Sequence, residues 1–364
     1  TPLGDIFDSG EFVEIMEASM ERADWAGYAV RREDSASRGK LRGVGMATYV
    51  EKCGGGFPET ADVKFDTGND HITLYIGTVT NGQGHDTAYK QIMSHRLGID
   101  TDNLTVVQGD SDLVPPGLTG GSRSVTVGGV AVSKASEAII EKGRQIAAHM
   151  METAEADIDY GDATFRVTGT DRTMSLFDVA RAATDSANLP EGVEPGLDEA
   201  YTQTPEVPTY PNGCHICELE IDPDTGDLEI QRYTVVDDFG DIVNPLLIEG
   251  QVHGGIVQGL GQALQEHTVY DGQSGQLISG SFMDYTLPRA DNFPYFDFTM
   301  RNVPCTTNPM GLKGSGEAGA IGAPPAVINA IVNAMEAAGG STDIDMPATP
   351  DAIWAAANQR AAAE

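Results

Sequence analysis

Glu317 stands alone among the glycines of Lys313-Gly-Ser-Gly-Glu-Ala-Gly319, directly ahead of an apolar run with helical spacing. A glycine-rich turn before a helix offers unpaired backbone N–H groups and a positive helix end, which attract phosphate. A carboxylate in the middle would repel that phosphate, and the order G-x-x-x-x-G-K-[ST] of a P-loop is missing. Glycine also lets backbone approach a bulky ligand closely, so the stretch can aim Glu317 at the reactive end of such a ligand. A tight turn carrying a solvated glutamate stays open on this stretch alone.

Two further stretches have the same character, Asn81-Gly-Gln-Gly-His85 and Thr119-Gly-Gly-Ser-Arg-Ser124, and a second Gly-Gln pair occurs at Gly250-Gln251. Singly, each glycine run could be turn chemistry, Gln83 and Gln251 helix-start residues, and Arg123 a surface charge. Taken together they collect amides, hydroxyls, an arginine and many backbone N–H groups. That set suits an extended ligand with polar ring edges and phosphates, with Glu317 at one end. Gly316 is expected to need a positive φ. Cys214-His-Ile-Cys217 invites a metal reading, but it lies in the alternating run CHICELEI, which reads as a strand. Residues three apart on a strand point to opposite faces, and no second Cys pair stands at zinc spacing, so buried strand cysteines are the better reading.

The elements that must carry these residues are legible in outline. Residues 8–30 have helical spacing, with Phe12, Ile15, Met16, Met20 and Trp25 inward. Strands are expected at 41–51, 62–66 and 71–77, then a helix to about 97, a strand ending at Gln108 and a long helix over 129–154. The proline-rich stretch 185–212 reads as a connecting loop. A strand pair at 214–222 and 227–237 follows, turned by Asp224-Thr-Gly-Asp227, and then a helix from the Gly250 segment to about 266. A further helix at 324–338 and an Ala-rich tail at 350–363 complete the chain. The order hairpin, loop, Gly-Gln, helix occurs at 62–97 and again at 214–266, an internal repeat. The expectation is an α+β fold of two related lobes of mixed sheet and helices, with the cleft between them faced by the Gly-Gln segments. The boundaries are 1–184 for the first lobe, 185–212 for the loop, and 213–364 for the second lobe with the Glu317 loop.

Composition narrows the partners. With 55 acidic and 22 basic residues the net charge is -33, and no basic stripe exists for nucleic acid or an anionic membrane. The spread of acid along the chain suggests solubility in a salty cytoplasm, as in a halophilic host. No run of about eighteen apolar residues is present. The chain opens Thr1-Pro2-Leu3 without Met, which reads as processing or as a piece of something longer. Four cysteines in 364 residues fit a reducing compartment better than a disulfide framework.

Four long stretches in order, GDSDLVPPGLTGGSRSVTVGG (109–129), NPLLIEGQVHGGIVQGLGQAL (244–264), GSFMDYTLPRADNFP (280–294) and NPMGLKGSGEAGAIGAPPAVINAI (308–331), resemble a known family. They are similar to the large, molybdenum-binding subunit of the xanthine dehydrogenase family of molybdenum hydroxylases, nearest the aerobic carbon monoxide dehydrogenase type. The resemblance implies a molybdenum ion held by a pterin dithiolene, extended as molybdopterin cytosine dinucleotide, which would explain the missing His/Cys ligand cluster. It implies that Gly82, Gln83, Gly84 and His85 contact this cofactor and that Gln251 hydrogen-bonds the pterin. Thr119, Gly120, Gly121, Ser122, Arg123 and Ser124 would hold the dinucleotide phosphates, with Arg123 supplying charge. Gly314, Ser315 and Gly316 would close on the pterin, and Glu317 would be the catalytic base.

The family chemistry uses molybdenum-bound, water-derived oxygen to oxidise an aldehyde, N-heterocycle or related small carbon substrate. Electrons would leave to 2Fe-2S and FAD partner subunits, in a cytoplasmic dimer of heterotrimers. The family's large subunit is roughly twice this length and this chain corresponds to its C-terminal half, so the other half of the site is an implied partner, on the same or a separate chain. None of Cys53, Cys214, Cys217 and Cys305 sits in the context of a copper-binding cysteine, and GEAGAIGAPPAV is closer to the branch acting on aldehydes or N-heterocycles. A true carbon monoxide dehydrogenase and a non-catalytic split subunit supplying half a cofactor cleft are the alternatives.

Overall fold

The computed structural model describes residues 1–359. The chain runs through α1 (Phe12–Arg22), α2 (Tyr28–Ser37), β1 (Leu41–Val50), β2 (Glu59–Asp66), β3 (His71–Ile76), α3 (His85–Leu97), β4 (Leu104–Val107) and α4 (Val130–Met150). It continues through β5 (Ile158–Gly161), β6 (Thr164–Val167), β7 (Thr173–Ser175), α5 (Leu176–Ala182), β8 (Glu199–Gln203), β9 (Asn212–Ile221) and β10 (Leu228–Asp238). The last elements are α6 (Pro245–Leu264), β11 (Phe296–Met300), α7 (Ala318–Ala338) and α8 (Pro350–Asn358).

Two of the sheets have the same plan, ordered β4-β3-β2-β8 and β11-β10-β9-β1. In each, a hairpin (β2–β3 or β9–β10) is followed by a helix (α3 or α6) and a strand that pairs parallel to the second hairpin strand. The next long helix, α4 or α7, packs on that sheet through Ala135, Ile139 and Ile146, or through Ala326, Ala330 and Ala334. Both sheets thus run strand–strand–helix–strand–helix, and the fold is α+β in mixed sheets as expected. The edge strands depart from the expected boundaries. β1, just before β2 in sequence, pairs antiparallel with β9, while β8, just before β9, pairs antiparallel with β2. Each lobe thus borrows its outer strand from the segment leading into the other. The stretch 185–212 is accordingly not all loop, because β8 lies within it.

β9 is buried along its whole length, and its alternation sorts the two faces. Cys214 and Ile216 face Ile15 and Val44 beneath α1, whereas Cys217, Leu219 and Ile221 face α6 and α7. The two cysteines therefore point apart, as the strand reading required, and all four cysteines are buried free thiols. Glu218 and Glu220 continue the α1 side, where Arg42 donates to both at 2.5 and 2.8 Å and Arg31 and Arg38 close the network from α2. On the opposite face β1 lies against α7 with almost no space: a Cβ on Gly43 or Gly45 would meet the carbonyl oxygens of Ala330 or Ala326 at 1.9 and 2.2 Å. Glycine on the strand and alanine on the helix are what this backbone-to-backbone contact demands.

Other local expectations need correction. Residues 8–30 form two helices, because Asp24 takes a left-handed φ of 49° and ends the first segment. Phe12 is exposed, while Ile15 is buried. The stretch 158–182 forms a small three-stranded sheet and α5, which the sequence patterning did not mark. By length and composition α7 is apolar enough to cross a membrane, but over half of its apolar window is buried, against β1, β9 and α6.

Candidate functional site

A cavity of about 620 Å³ opens where the two lobes meet, and it is bounded by the beginnings of four helical segments. α3 starts there at His85, the π-helical turn Ser124–Gly129 leads from it into α4, α6 starts behind Asn244 and α7 behind Glu317. Local sequence explains these starts. Asn244 accepts the Leu247 N–H at 3.2 Å with Pro245 at the first helical position, so α6 is firmly capped. The Asn244 amide also donates to Gln91 Oε1 at 2.9 Å, which ties the start of α6 to α3. Helix N-termini carry partial positive charge, so the cavity floor favours an anion although its charged side chains do not.

The two cations among them are already engaged. Lys313 donates to Asp238 at 2.6 Å with both groups fully buried. Arg123 was expected to supply charge to phosphates, but its guanidinium is buried. It donates to Glu59 at 2.9 Å and to the Leu118 and Phe57 carbonyls, both at 2.6 Å. Its charge is neutralised by Glu59, and its role is to shape the 118–124 loop. Thr119 is likewise turned inward: its hydroxyl accepts the Val79 N–H at 2.7 Å and donates to the Val79 carbonyl at 3.0 Å. Gly120, Gly121 and Ser124 of this loop line the cavity, and among the described residues the Ser124 hydroxyl makes no hydrogen bond while the buried Arg123 Nε has no partner. A Cβ on Gly120 or Gly121 would find no protein atom within 4 Å.

Gln83 and His85 line the cavity. Gln83 Oε1 accepts from the Asn81 N–H and from Thr80 Oγ1, which bends the Gly82 turn (φ 101°) and leaves the amide nitrogen free. Burial drives the His85 imidazole down to about 4, so it is neutral, and Gln108 Nε2 lies 3.2 Å from its Nδ1. Gly84 does not line the cavity. It sits at the start of α3 with φ 83°, and a Cβ there would strike the Leu247 side chain of α6 at 2.6 Å. Gln251 lies in the second turn of α6, not at its start, and faces the cavity without a side-chain hydrogen bond among the described residues.

Gly314, Ser315, Gly316 and Glu317 form the opposite wall. Here Gly314, not Gly316, is the constrained glycine. A Cβ on Gly314 would lie 2.4 Å from the Ser122 carbonyl oxygen and 2.7 Å from Cys53 Sγ, whereas one on Gly316 would be at an ordinary 3.5 Å. Gly316 does not have the positive φ expected of it. Ser122 does, at 52°, and this strained backbone turns its hydroxyl toward Glu317. The Ser122 oxygen is 2.8 Å from Glu317 Oε2 and accepts the Glu317 N–H at 3.1 Å. On its other side, at 2.6 Å, stands Glu51.

Glu51 is the residue that sequence reasoning missed. It follows the last residue of β1, is buried, and leaves its Oε2 without a partner. Burial, with Glu317 adding to it, pushes its carboxyl up to about 7 against the opposing pull of Ser122 and Cys53. The one available signal was an acid on the alternating face shared with Tyr49. Among the described residues no group of His, Cys, Asp and Glu side chains could hold a metal ion. The arrangement is a ligand cleft with an electropositive backbone floor, free amides and a serine-linked carboxylate pair at one wall.

The model of the molybdopterin cofactor-binding domain matches residues 18–294. The carbon monoxide dehydrogenase large chain of Hydrogenophaga pseudoflava is 35% identical over 97% of this chain and 46% of its own length. The nicotine 6-hydroxylase large subunit of Paenarthrobacter nicotinovorans is also 35% identical, over 97% of this chain and 45% of its own. The structure of reconstituted CO dehydrogenase from Oligotropha carboxidovorans superposes with a TM-score of 0.88 at 32% identity, covering 97% of this chain and 46% of that one. The chain thus spans about half the length of the relatives it matches. It belongs to the molybdopterin cofactor-binding domain family.

Proposed function

We propose that this chain forms half of the active-site cleft of a molybdenum hydroxylase, with the cofactor in its molybdopterin cytosine dinucleotide form and Glu317 as general base. The observation that carries this reading is the meeting of four helix starts around a cavity whose cationic side chains are all neutralised internally. Such a floor suits a large anion bound through backbone N–H groups. Gly120 and Gly121 leave room for it, with Ser124 and Ser315 beside them, while Gln83 and Gln251 offer amides to polar ring edges. When bound, the cofactor would supply the Lewis acidity and the electron sink for hydroxylation.

The chain's own residues then divide the remaining work. Glu317 lines the cavity and is held by Ser122, and with the cofactor bound it would serve as the proton acceptor. The buried neutral imidazole of His85 and the fixed loop at Arg123 keep the floor in one shape. The substrate class we favour is an aldehyde or N-heterocycle, in keeping with GEAGAIGAPPAV and with a nicotine-hydroxylating relative. Carbon monoxide is the second reading, because a carbon monoxide dehydrogenase chain is equally similar. Partners carrying 2Fe-2S and FAD would accept the electrons, since among the described residues no cysteine cluster exists here to do so. Four free thiols favour a cytoplasmic home for the assembly.

The test is Glu317→Gln in the assembled complex. Molybdenum and pterin content should stay at wild-type level, while turnover falls about 10²–10⁴-fold, the weight of a positioned base. A wild-type rate ends the assignment of Glu317, and a native complex without molybdenum or pterin ends the cofactor reading.

A further inference from the structure

The Ser122 hydroxyl has one hydrogen and two lone pairs, yet it meets three groups: Glu51 at 2.6 Å, Glu317 at 2.8 Å and the Glu317 N–H at 3.1 Å. The N–H uses one lone pair, and the hydroxyl hydrogen can serve only one carboxylate. The other carboxyl makes a hydrogen bond only if it carries a proton of its own to give to the second lone pair. With both carboxylates ionised, one contact would set an anionic oxygen against a lone pair in a partly dry site. Both contacts are satisfied together when the pair holds one proton.

Surroundings decide which member holds it. Glu317 reaches the open cavity, whereas Glu51 is 8% exposed and has one oxygen without any partner. Among the described residues no cation is ion-paired with Glu51: Arg123 is tied to Glu59, Lys313 to Asp238 and the adjacent Lys52 to Asp5. The titratable groups near it are Glu317, the Cys53 thiol, itself pushed up by burial, and Tyr49, whose hydroxyl donates to Asp237 at 3.0 Å. None of these supplies positive charge. We infer that Glu51 is the protonated member of a Glu51–Ser122–Glu317 pair, a positioning residue that turns the Ser122 hydrogen toward Glu317 and keeps Glu317 the ionised one. As a catalytic statement this rests on Glu317 being the base. The proton count itself does not.

The pair has a pH signature. A buried carboxyl displaced to about 7 loses its proton near neutrality, well above ordinary carboxyls. Above that point two anions face one hydroxyl hydrogen, and one of the two carboxylate contacts to Ser122 loses its hydrogen bond. The experiment is a pH-difference infrared titration of the assembled complex, read at the carbonyl stretch of protonated carboxyls. The wild type should show such a band disappearing near pH 7. Glu51→Gln should lack it, and the inflexion near neutrality in its pH profile of kcat/KM should vanish, because the amide donates to Ser122 at every pH. Glu317→Gln should keep the band but move it to lower pH, since the anion that raises Glu51 is gone.

A band absent from the wild type, or unchanged in Glu51→Gln, overturns the inference. If Glu51→Gln fails to assemble, the wild-type band and its displacement in Glu317→Gln decide alone. A titrating band together with wild-type turnover in Glu317→Gln would leave the pair standing and remove only the base. An absent band with slow turnover in Glu317→Gln would do the reverse.

Discussion

Replacing Gly314 with alanine tests whether the Glu317 wall is held by close packing against Ser122. The added Cβ starts 2.4 Å from the Ser122 carbonyl oxygen and 2.7 Å from Cys53 Sγ, and the first of these is backbone that cannot swing aside. Reaching a tolerable separation of about 3.2 Å requires the two loops to part by roughly 0.8 Å. A shift of that size would take the Glu317 N–H to Ser122 contact from 3.1 Å past the limit of a hydrogen bond. Overpacking costs about 1–3 kcal/mol and the lost hydrogen bond about 1 more, so the loss should be roughly 2–4 kcal/mol. With Glu317 in its proposed role as base, displacing it by nearly an ångström should also slow turnover by on the order of 10²-fold. Gly316→Ala is the control. Its Cβ meets Ser122 at 3.5 Å, and its φ needs no glycine, so stability should change by no more than about 0.5 kcal/mol. Thermal midpoints and kcat of both variants in the assembled complex are the assay. A Gly314→Ala midpoint equal to wild type, or a Gly316→Ala loss of the same size, would refute the packing argument.

Salt should raise the melting temperature, because self-repulsion at a net charge of -33 is screened over about 10 Å at 0.1 M but about 3 Å at 1 M. The Arg42 network with Glu218 and Glu220 is buried and is weakened much less by salt, so a flat or falling trend would contradict the charge argument. The isolated chain, given an aldehyde or heterocycle and an artificial electron acceptor, should show no turnover, since it spans about half the length of its relatives; substantial activity would dismiss the need for the other half.

What could be read from sequence divides along a physical line. Strands and helices with strong local periodicity, such as β2, β3, α3, β9 and β10, fell where alternation and turn residues put them. Gln83, Gln251, Ser122 and Glu317, far apart in the chain, line one cavity, because each lies at or near the start of a helical segment. What failed was everything decided by tertiary partners. Arg123 reads as a free cation until Glu59 is seen beside it, and Gly316 as the strained glycine until Gly314 is found against Cys53. Glu51 has no local mark beyond its place on the face of Tyr49, since Ser122 and Glu317, which define its role, lie far along the chain. β8 was hidden because its five residues, Glu199–Gln203, are mostly polar and its pairing partner, β2, lies far upstream.

The exchanged edge strands explain why the site sits where it does. The chain leaves the second sheet at Val50, opposite Asn212, and enters the first at Glu59, opposite Gln203. Residues 51–58 and 204–211 therefore cross between the lobes in opposite directions, and Cys53 and Thr209 pair where they pass. The first crossing segment is bracketed by glutamates, Glu51 at its start and Glu59 just past its end as the first residue of β2. Glu51 meets Ser122, Glu59 meets Arg123, and between them the Gly54 N–H donates to the Gly121 carbonyl at 3.0 Å. Two consecutive residues of the glycine loop are thus gripped by the two ends of one crossing strand. A glycine loop on an independent lobe would move with that lobe; here its position is set by backbone belonging to both. The strain stored in Ser122 is held by the same grip, since relaxing its φ would require both glutamates to release the loop. Strand exchange is then more than a curiosity of topology: it fixes the distance between the loop that faces the ligand and the loop that presents Glu317, at the seam where the cavity lies.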